Sequence, residues 1–193
     1  MGISGIYNFS TKNYYAYWRI FTRKNLLKFY RAKHIRDRDL HKINNLSKNM
    51  LIGEYIHTLD DKKRVSLPVK FRKEVGKKII VTAGLDNCLW IFTLAQWKKI
   101  SEKLSNFSML QADNRSFNRY MFGSATEVEV DTIGRILLPE FLVSRASLKN
   151  KIAVVGVQDR IEIWNESAWR EYKDVVEKKA DQLAEKLGQA GAL

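Results

Sequence analysis

Leu59-Asp60-Asp61-Lys62-Lys63-Arg64-Val65-Ser66-Leu67-Pro68 returns, with changes, as Val130-Asp131-Thr132-Ile133-Gly134-Arg135-Ile136-Leu137-Leu138-Pro139. Each copy has an Asp, three residues, an Arg, an aliphatic run and a closing Pro. The chain holds 2 prolines, and they occupy matching places 71 residues apart. An Asp-x-x-x-Arg alone is common. Asp, Arg, aliphatic run and Pro together mark a duplicated unit.

The duplication extends downstream. Ile79-Ile80-Val81-Thr82-Ala83-Gly84 and Leu89-Trp90-Ile91-Phe92 match Lys151-Ile152-Ala153-Val154-Val155-Gly156 and Ile161-Glu162-Ile163-Trp164. Trp97 matches Trp169 at the same spacing of 72 as Gly84 and Gly156, one inserted residue explaining the change of register. Upstream, Gly53 and Gly123 stand 7 and 8 residues before their Asp. The unit reads Gly, strand, Asp-x-x-x-Arg turn, strand, Pro, short helix, strand, turn, strand, helix. The fold class is therefore α+β.

Alternation of Tyr55, His57 and Leu59 with Glu54, Ile56 and Thr58 predicts a strand, and Val65 and Leu67 share one side of the next. Pro68 suits the first helical position, so a helix is expected at 68–75, stopped by Gly76. Leu94, Trp97, Ile100, Leu104 and Phe107 predict an amphipathic helix, and a second helix at about 112–122 links the copies. Trp169, Tyr172, Val176, Ala180, Leu183 and Leu187 predict a last helix over 166–187, capped by Asn165 or Ser167 and ended by Gly188. It packs on its own domain or forms a subunit contact. The chain divides into a basic extension outside the core, 1–49, a first repeat with its linker helix, 50–122, and a second repeat with its C-terminal helix, 123–193.

Charge follows the same division. Residues 1–49 carry 11 Lys/Arg against 2 Asp/Glu, residues 50–122 carry 13 against 7, and residues 123–193 carry 10 against 12. Lys62, Lys63, Arg64, Lys70, Arg72, Lys73, Lys77 and Lys78 fall within 17 residues opposed by Glu74 alone. Such a cationic stretch points to a polyanionic partner. The extension is rich in Asn, Lys, Ile, Tyr and Phe, residue types that A/T-rich codons favour. Three readings stand: Met50 is the natural start, the extension is a nucleic-acid-binding arm, or it is a transit peptide.

Other classes lack their residues. The one cysteine, Cys88, excludes an internal disulfide and any cysteine-based zinc site, and His34, His41 and His57 have no ligand spacing. Cys88 is expected to be a small buried residue before a strand. No apolar run approaches the roughly 18 residues of a membrane span. Glu127, Glu129 and Asp131 share a strand face but have no base or nucleophile beside them. No phosphate loop or Ser/Cys motif is present. No enzyme, metal, cofactor or small-molecule substrate is expected, and the compartment is the cytoplasm.

Across a tight turn, the Asp carboxylate is able to accept loop N–H groups and orient the Arg guanidinium. Arg135 is expected to be structural in this way. Lys62-Lys63-Arg64 would place three positive charges at a hairpin tip, and a two-stranded ribbon fits the major groove of DNA. The DNA-contacting residues expected are Lys62, Lys63, Arg64, Lys70, Arg72 and Lys73. Asp60, Pro68, Asp131, Arg135 and Pro139 are expected to shape the motif.

On the start Met50-Leu51-Ile52-Gly53-Glu54-Tyr55, the two turns and the Glu162-Ile163-Trp164 strand, residues 50–193 resemble the MraZ family of bacterial transcriptional regulators. That family is associated with the division and cell-wall gene cluster. The resemblance implies two tandem AbrB-like swapped-hairpin units around a pseudo-twofold β-barrel core with flanking helices. It also implies a ring-shaped homo-oligomer, nucleoid association, and binding to short direct repeats in promoter DNA. The family motif has Gly before its first Arg, where this chain has Lys63. An antitoxin-like or scaffold module that binds a protein partner is the alternative, related folds being used that way.

Overall fold

In the computed structural model, which describes residues 50–190, the alternating stretch after Met50 is strand β1 (Leu51–Thr58). The readings of residues 1–49 lie outside the described residues. The chain continues with β2 (Arg64–Ser66), α1 (Val69–Val75), β3 (Lys78–Ala83), β4 (Leu89–Thr93), α2 (Leu94–Ser105) and α3 (Ala112–Gly123). The second copy supplies β5 (Thr126–Glu129), β6 (Arg135–Leu137), α4 (Glu140–Arg145), β7 (Lys151–Gln158), β8 (Ile161–Asn165), α5 (Glu166–Glu177) and α6 (Ala180–Gln189). The fold is α+β and its strand pairs are antiparallel.

Six strands form one sheet in the order β1-β7-β8-β4-β3-β5, and β2 pairs with β6. With β1, β2, β3 and β4 matched to β5, β6, β7 and β8, that order reads the same from both ends. The first strand of each copy pairs with the third strand of the other: β1 with β7 from Leu51↔Gln158 to Thr58↔Lys151, and β5 with β3 from Lys78↔Glu129 to Val81↔Thr126. β4 and β8 meet at the centre, where Trp90 stands opposite Glu162. Single bridges, Leu59↔Val65 and Val130↔Ile136, tie the edge strands to the β2–β6 ribbon and close the run of strands on itself.

Period-two patterning fills the interior. Val65, Leu67, Ile136 and Leu138 are buried, whereas the intervening Leu137 is exposed. Phe71 of α1 and Leu142 of α4 complete this core from matching positions. Burial of these side chains is the main favourable term, about 1.5–3 kcal/mol for each large aliphatic or aromatic group fully removed from water. α2 and α5 place Trp97 and Trp169 against Phe92 and Trp164, ring centroids 5.8 and 5.4 Å apart.

Several local expectations need correction. β1 and β2 do not form a hairpin ribbon: after one bridge each leaves to pair with the other copy. Pro68 stands one position before α1, at φ −52 and ψ 138, and its carbonyl accepts the N–H groups of Phe71 and Arg72. The last helix is two, because Lys179 leaves helical geometry at φ −113 and ψ 2. Its start is capped by Asn165, whose Oδ1 accepts from Ser167 and Ala168, and Gly188 lies inside α6. Gly53 sits within β1 opposite Gly156, but Gly123 ends α3, so the two glycines are not equivalent.

Candidate nucleic-acid interface

Both turns have one construction. In the first, Lys63 N–H donates to Asp60 O at 2.9 Å and Asp60 N–H to Arg64 O at 3.0 Å. In the second, Gly134 N–H donates to Asp131 O at 2.9 Å and Asp131 N–H to Arg135 O at 2.8 Å. One carboxylate oxygen accepts the backbone N–H of the Arg, at 2.7 Å for Asp60 and 2.8 Å for Asp131. The other accepts the Arg Nε, at 2.8 Å in both. The pair is made through Nε, which leaves the Nη groups of each guanidinium outside it. The backbone N–H of the Arg, and then its side chain, hold each Asp carboxyl below the ordinary carboxylate value, against opposing desolvation.

The expected division between a structural Arg135 and a projecting Arg64 has no counterpart in this geometry. Arg64 and Arg135 form the same ion pair and are each about one-third exposed, at 34% and 31%. The difference between the turns lies in their other residues. Lys62 and Lys63 stand where the second copy has Ile133 and Gly134. Lys63 is left-handed at φ 59, as is Gly134 at φ 83. That conformation suits glycine and strains a lysine.

Strand exchange ties each turn to the opposite copy. Lys63 O accepts the N–H of Leu138 and Gly134 O accepts the N–H of Leu67, both at 2.9 Å. Pro68 and Pro139 follow directly, ending the β2–β6 ribbon and starting α1 and α4.

The cations that are close in sequence separate in space. Lys62 and Lys63 line an open groove of about 570 Å³ with Glu127, Glu129 and Glu140. Lys63 Nζ lies 3.9 Å from Glu140. Lys78 is paired with Glu127 at 2.7 Å, and its charge is neutralised there. Lys70 Nζ donates to Ile52 O of β1 at 3.3 Å. Arg72 Nε donates to Leu67 O at 2.7 Å and lies against Gly134 of the second turn. Lys73 is exposed on α1.

Two neighbours escaped the sequence reading. Glu140 meets the first turn although it belongs to the second copy, and His57 of β1 feels the charge of Arg72. Burial first, and Arg72 second, lower the His57 pKa from 6.5. The signal for Glu140 was its place after Pro139, but reading it required knowing that the copies exchange strands. Cys88 is buried as expected, its thiol donating to Leu85 O and its pKa pushed up by burial to about 12. Among the described residues no helix is long and apolar enough to cross a membrane.

Residues 50–120 and 121–189 each match the family model described as "MraZ protein, putative antitoxin-like". The chain is similar to the protein named Transcriptional regulator MraZ from Caldanaerobacter subterraneus subsp. tengcongensis, 43% identical over 138 residues, 72% of this chain and 96% of that one. Its namesake from Moorella thermoacetica is 45% identical over 138 residues, with the same two shares of 72% and 96%. That of Alkaliphilus metalliredigens is 42% identical over 142 residues, 74% of this chain and 99% of the relative.

Proposed function

The chain belongs to the MraZ family, and from that premise we propose that it is a sequence-specific DNA-binding transcriptional regulator rather than an enzyme. On this reading the repeats 50–122 and 123–193 are AbrB-like swapped-hairpin units folded into one pseudo-twofold barrel. The barrel presents its turns to short direct repeats in promoter DNA, with the division and cell-wall gene cluster as target. Several copies close into a ring and engage repeated sites together, so a small loss at each copy multiplies across the assembly. The setting is the cytoplasm, at the nucleoid.

The observation that supports this reading most is the brace of Asp60 on Arg64 beside Lys62 and Lys63. A guanidinium fixed through Nε loses little entropy when its Nη edge meets guanine O6 and N7. Lys62 and Lys63 contact phosphates flanking that base, and Lys70, Arg72 and Lys73 extend the cationic surface. Asp60, Pro68, Asp131, Arg135 and Pro139 hold the turns in shape. The contacting element is a braced turn and not a free ribbon laid in the groove.

A protein-binding, antitoxin-like module is the second reading, favoured by Glu127, Glu129 and Glu140 around the lysines of the first turn. Footprinting on the DNA upstream of the chain's own gene separates the two. A regulator protects evenly spaced short repeats there. A protein-binding module leaves the pattern of cleavage unchanged.

A further inference from the structure

Matching the copies through their prolines puts Lys63 on Gly134 and Arg72 on Val143. The first turn carries a lysine at its left-handed position, and the second copy has Val143 in place of Arg72. The second turn carries a glycine, and Arg72 of the first copy lies across it. A Cβ added to Gly134 would fall 2.2 to 2.6 Å from Nε, Cδ and Cζ of Arg72. The arginine therefore occupies space that any other residue at 134 would fill.

Arg72 is also bonded into this turn. Its Nε donates to Leu67 O at 2.7 Å, and Leu67 N–H donates to Gly134 O at 2.9 Å. Arginine, strand end and turn form one hydrogen-bonded unit, and the braced Arg135 follows Gly134 directly. Chain order assigns Arg72 to the cationic stretch of the first turn. Strand exchange assigns it to the second.

We propose that the second turn is a separate nucleic-acid contact, in which Arg72, provided by the opposite repeat, binds a backbone phosphate beside Gly134 and Arg135. The proposal rests on the DNA-binding reading above and changes its arithmetic. Each chain then makes two contacts related by the pseudo-twofold axis, one with its lysine in the turn and one with its arginine brought by a helix. A guanidinium suits the second role because, with Nε bonded to Leu67, its Nη edge still matches a phosphate.

Ile133 provides a test that leaves the clamp untouched. It matches Lys62 and is 57% exposed at the tip of the turn. The full chain is titrated with a labelled duplex from upstream of its gene over a range of salt, and each variant is melted. Ile133→Glu and Lys62→Glu are each expected to weaken binding roughly tenfold, and Ile133→Glu to do so without lowering the melting temperature. Arg72→Val should lose a similar factor and flatten the log affinity against log salt slope by about one unit, the share of a single phosphate. Arg72→Val combined with Gly134→Lys rebuilds the combination found at the first turn, and should recover that slope.

Wild-type affinity in Ile133→Glu would overturn the proposal, as would a folded double variant whose slope stays flat. If Arg72→Val does not fold, Ile133→Glu decides alone. Should the unaltered chain bind DNA without any dependence on salt, the DNA-binding reading itself falls, which is a different failure.

Discussion

Lys63 keeps a left-handed backbone at φ 59, where Gly134 does the same work in the other copy. Its ion pair with Glu140 spans 3.9 Å between exposed side chains, and such pairs contribute little. Lys63→Gly should therefore raise stability by roughly 1 kcal/mol, read as a higher denaturation midpoint, by releasing the strain of a side chain at positive φ. The same change should weaken DNA binding, since a cation is removed. Asp60 and Asp131 have depressed pKa values in the fold, so the stability they contribute is complete above the ordinary carboxylate range and is lost as pH falls through it. His57 acts in the same direction at higher pH: its pKa is lowered from 6.5, so protons favour the unfolded chain as pH drops below that value. A denaturation midpoint followed from neutral to acid pH should decline in two stages, and His57→Gln should remove the first. A midpoint indifferent to pH over both ranges would contradict these assignments.

At the scale of elements, the two tryptophans of the second copy differ in what their indole N–H groups meet. Trp164 Nε1 donates to Glu162 Oε2 at 3.0 Å, and Arg160 secures the same carboxylate at 2.8 Å while stacking on Trp90 at 4.6 Å. Trp169 Nε1 is buried without a hydrogen-bond partner. Trp164→Phe leaves a buried carboxylate oxygen short of a donor and should cost about 1–3 kcal/mol, whereas Trp169→Phe removes an unsatisfied group and should cost less. Denaturant melts of both variants test this order. The elements themselves were legible where their signals are local: the alternation of β1, the Pro that precedes α1 and α4, and the stripes of α2 and α5. Pairing was not legible. Asp60 to Arg64 reads as the tip of a hairpin because nothing nearby in sequence says that β1 will pair with β7, about a hundred residues on. For the same reason the cationic stretch looked continuous, although Lys78 is neutralised by Glu127 and Arg72 sits on Gly134, both in the other copy.

For the whole molecule, the palindromic strand order means that neither copy completes its sheet alone. Each supplies the edge strand of the other, so unfolding is expected to be one cooperative event. The strand pairs described lie between residues 51 and 165, and a chain begun at Met50 should therefore melt cooperatively, near the temperature of the full chain. Loss of a cooperative transition in that shorter chain would show that the repeats are insufficient. Whether these paired turns read DNA is decided by one titration. The full chain is added to a labelled duplex from upstream of its gene, and to a shuffled duplex of the same composition, at several salt concentrations. A steep loss of affinity with salt is expected, with a preference for the native sequence that persists as salt rises. Equal affinity for the two duplexes, or an affinity indifferent to salt, would contradict it.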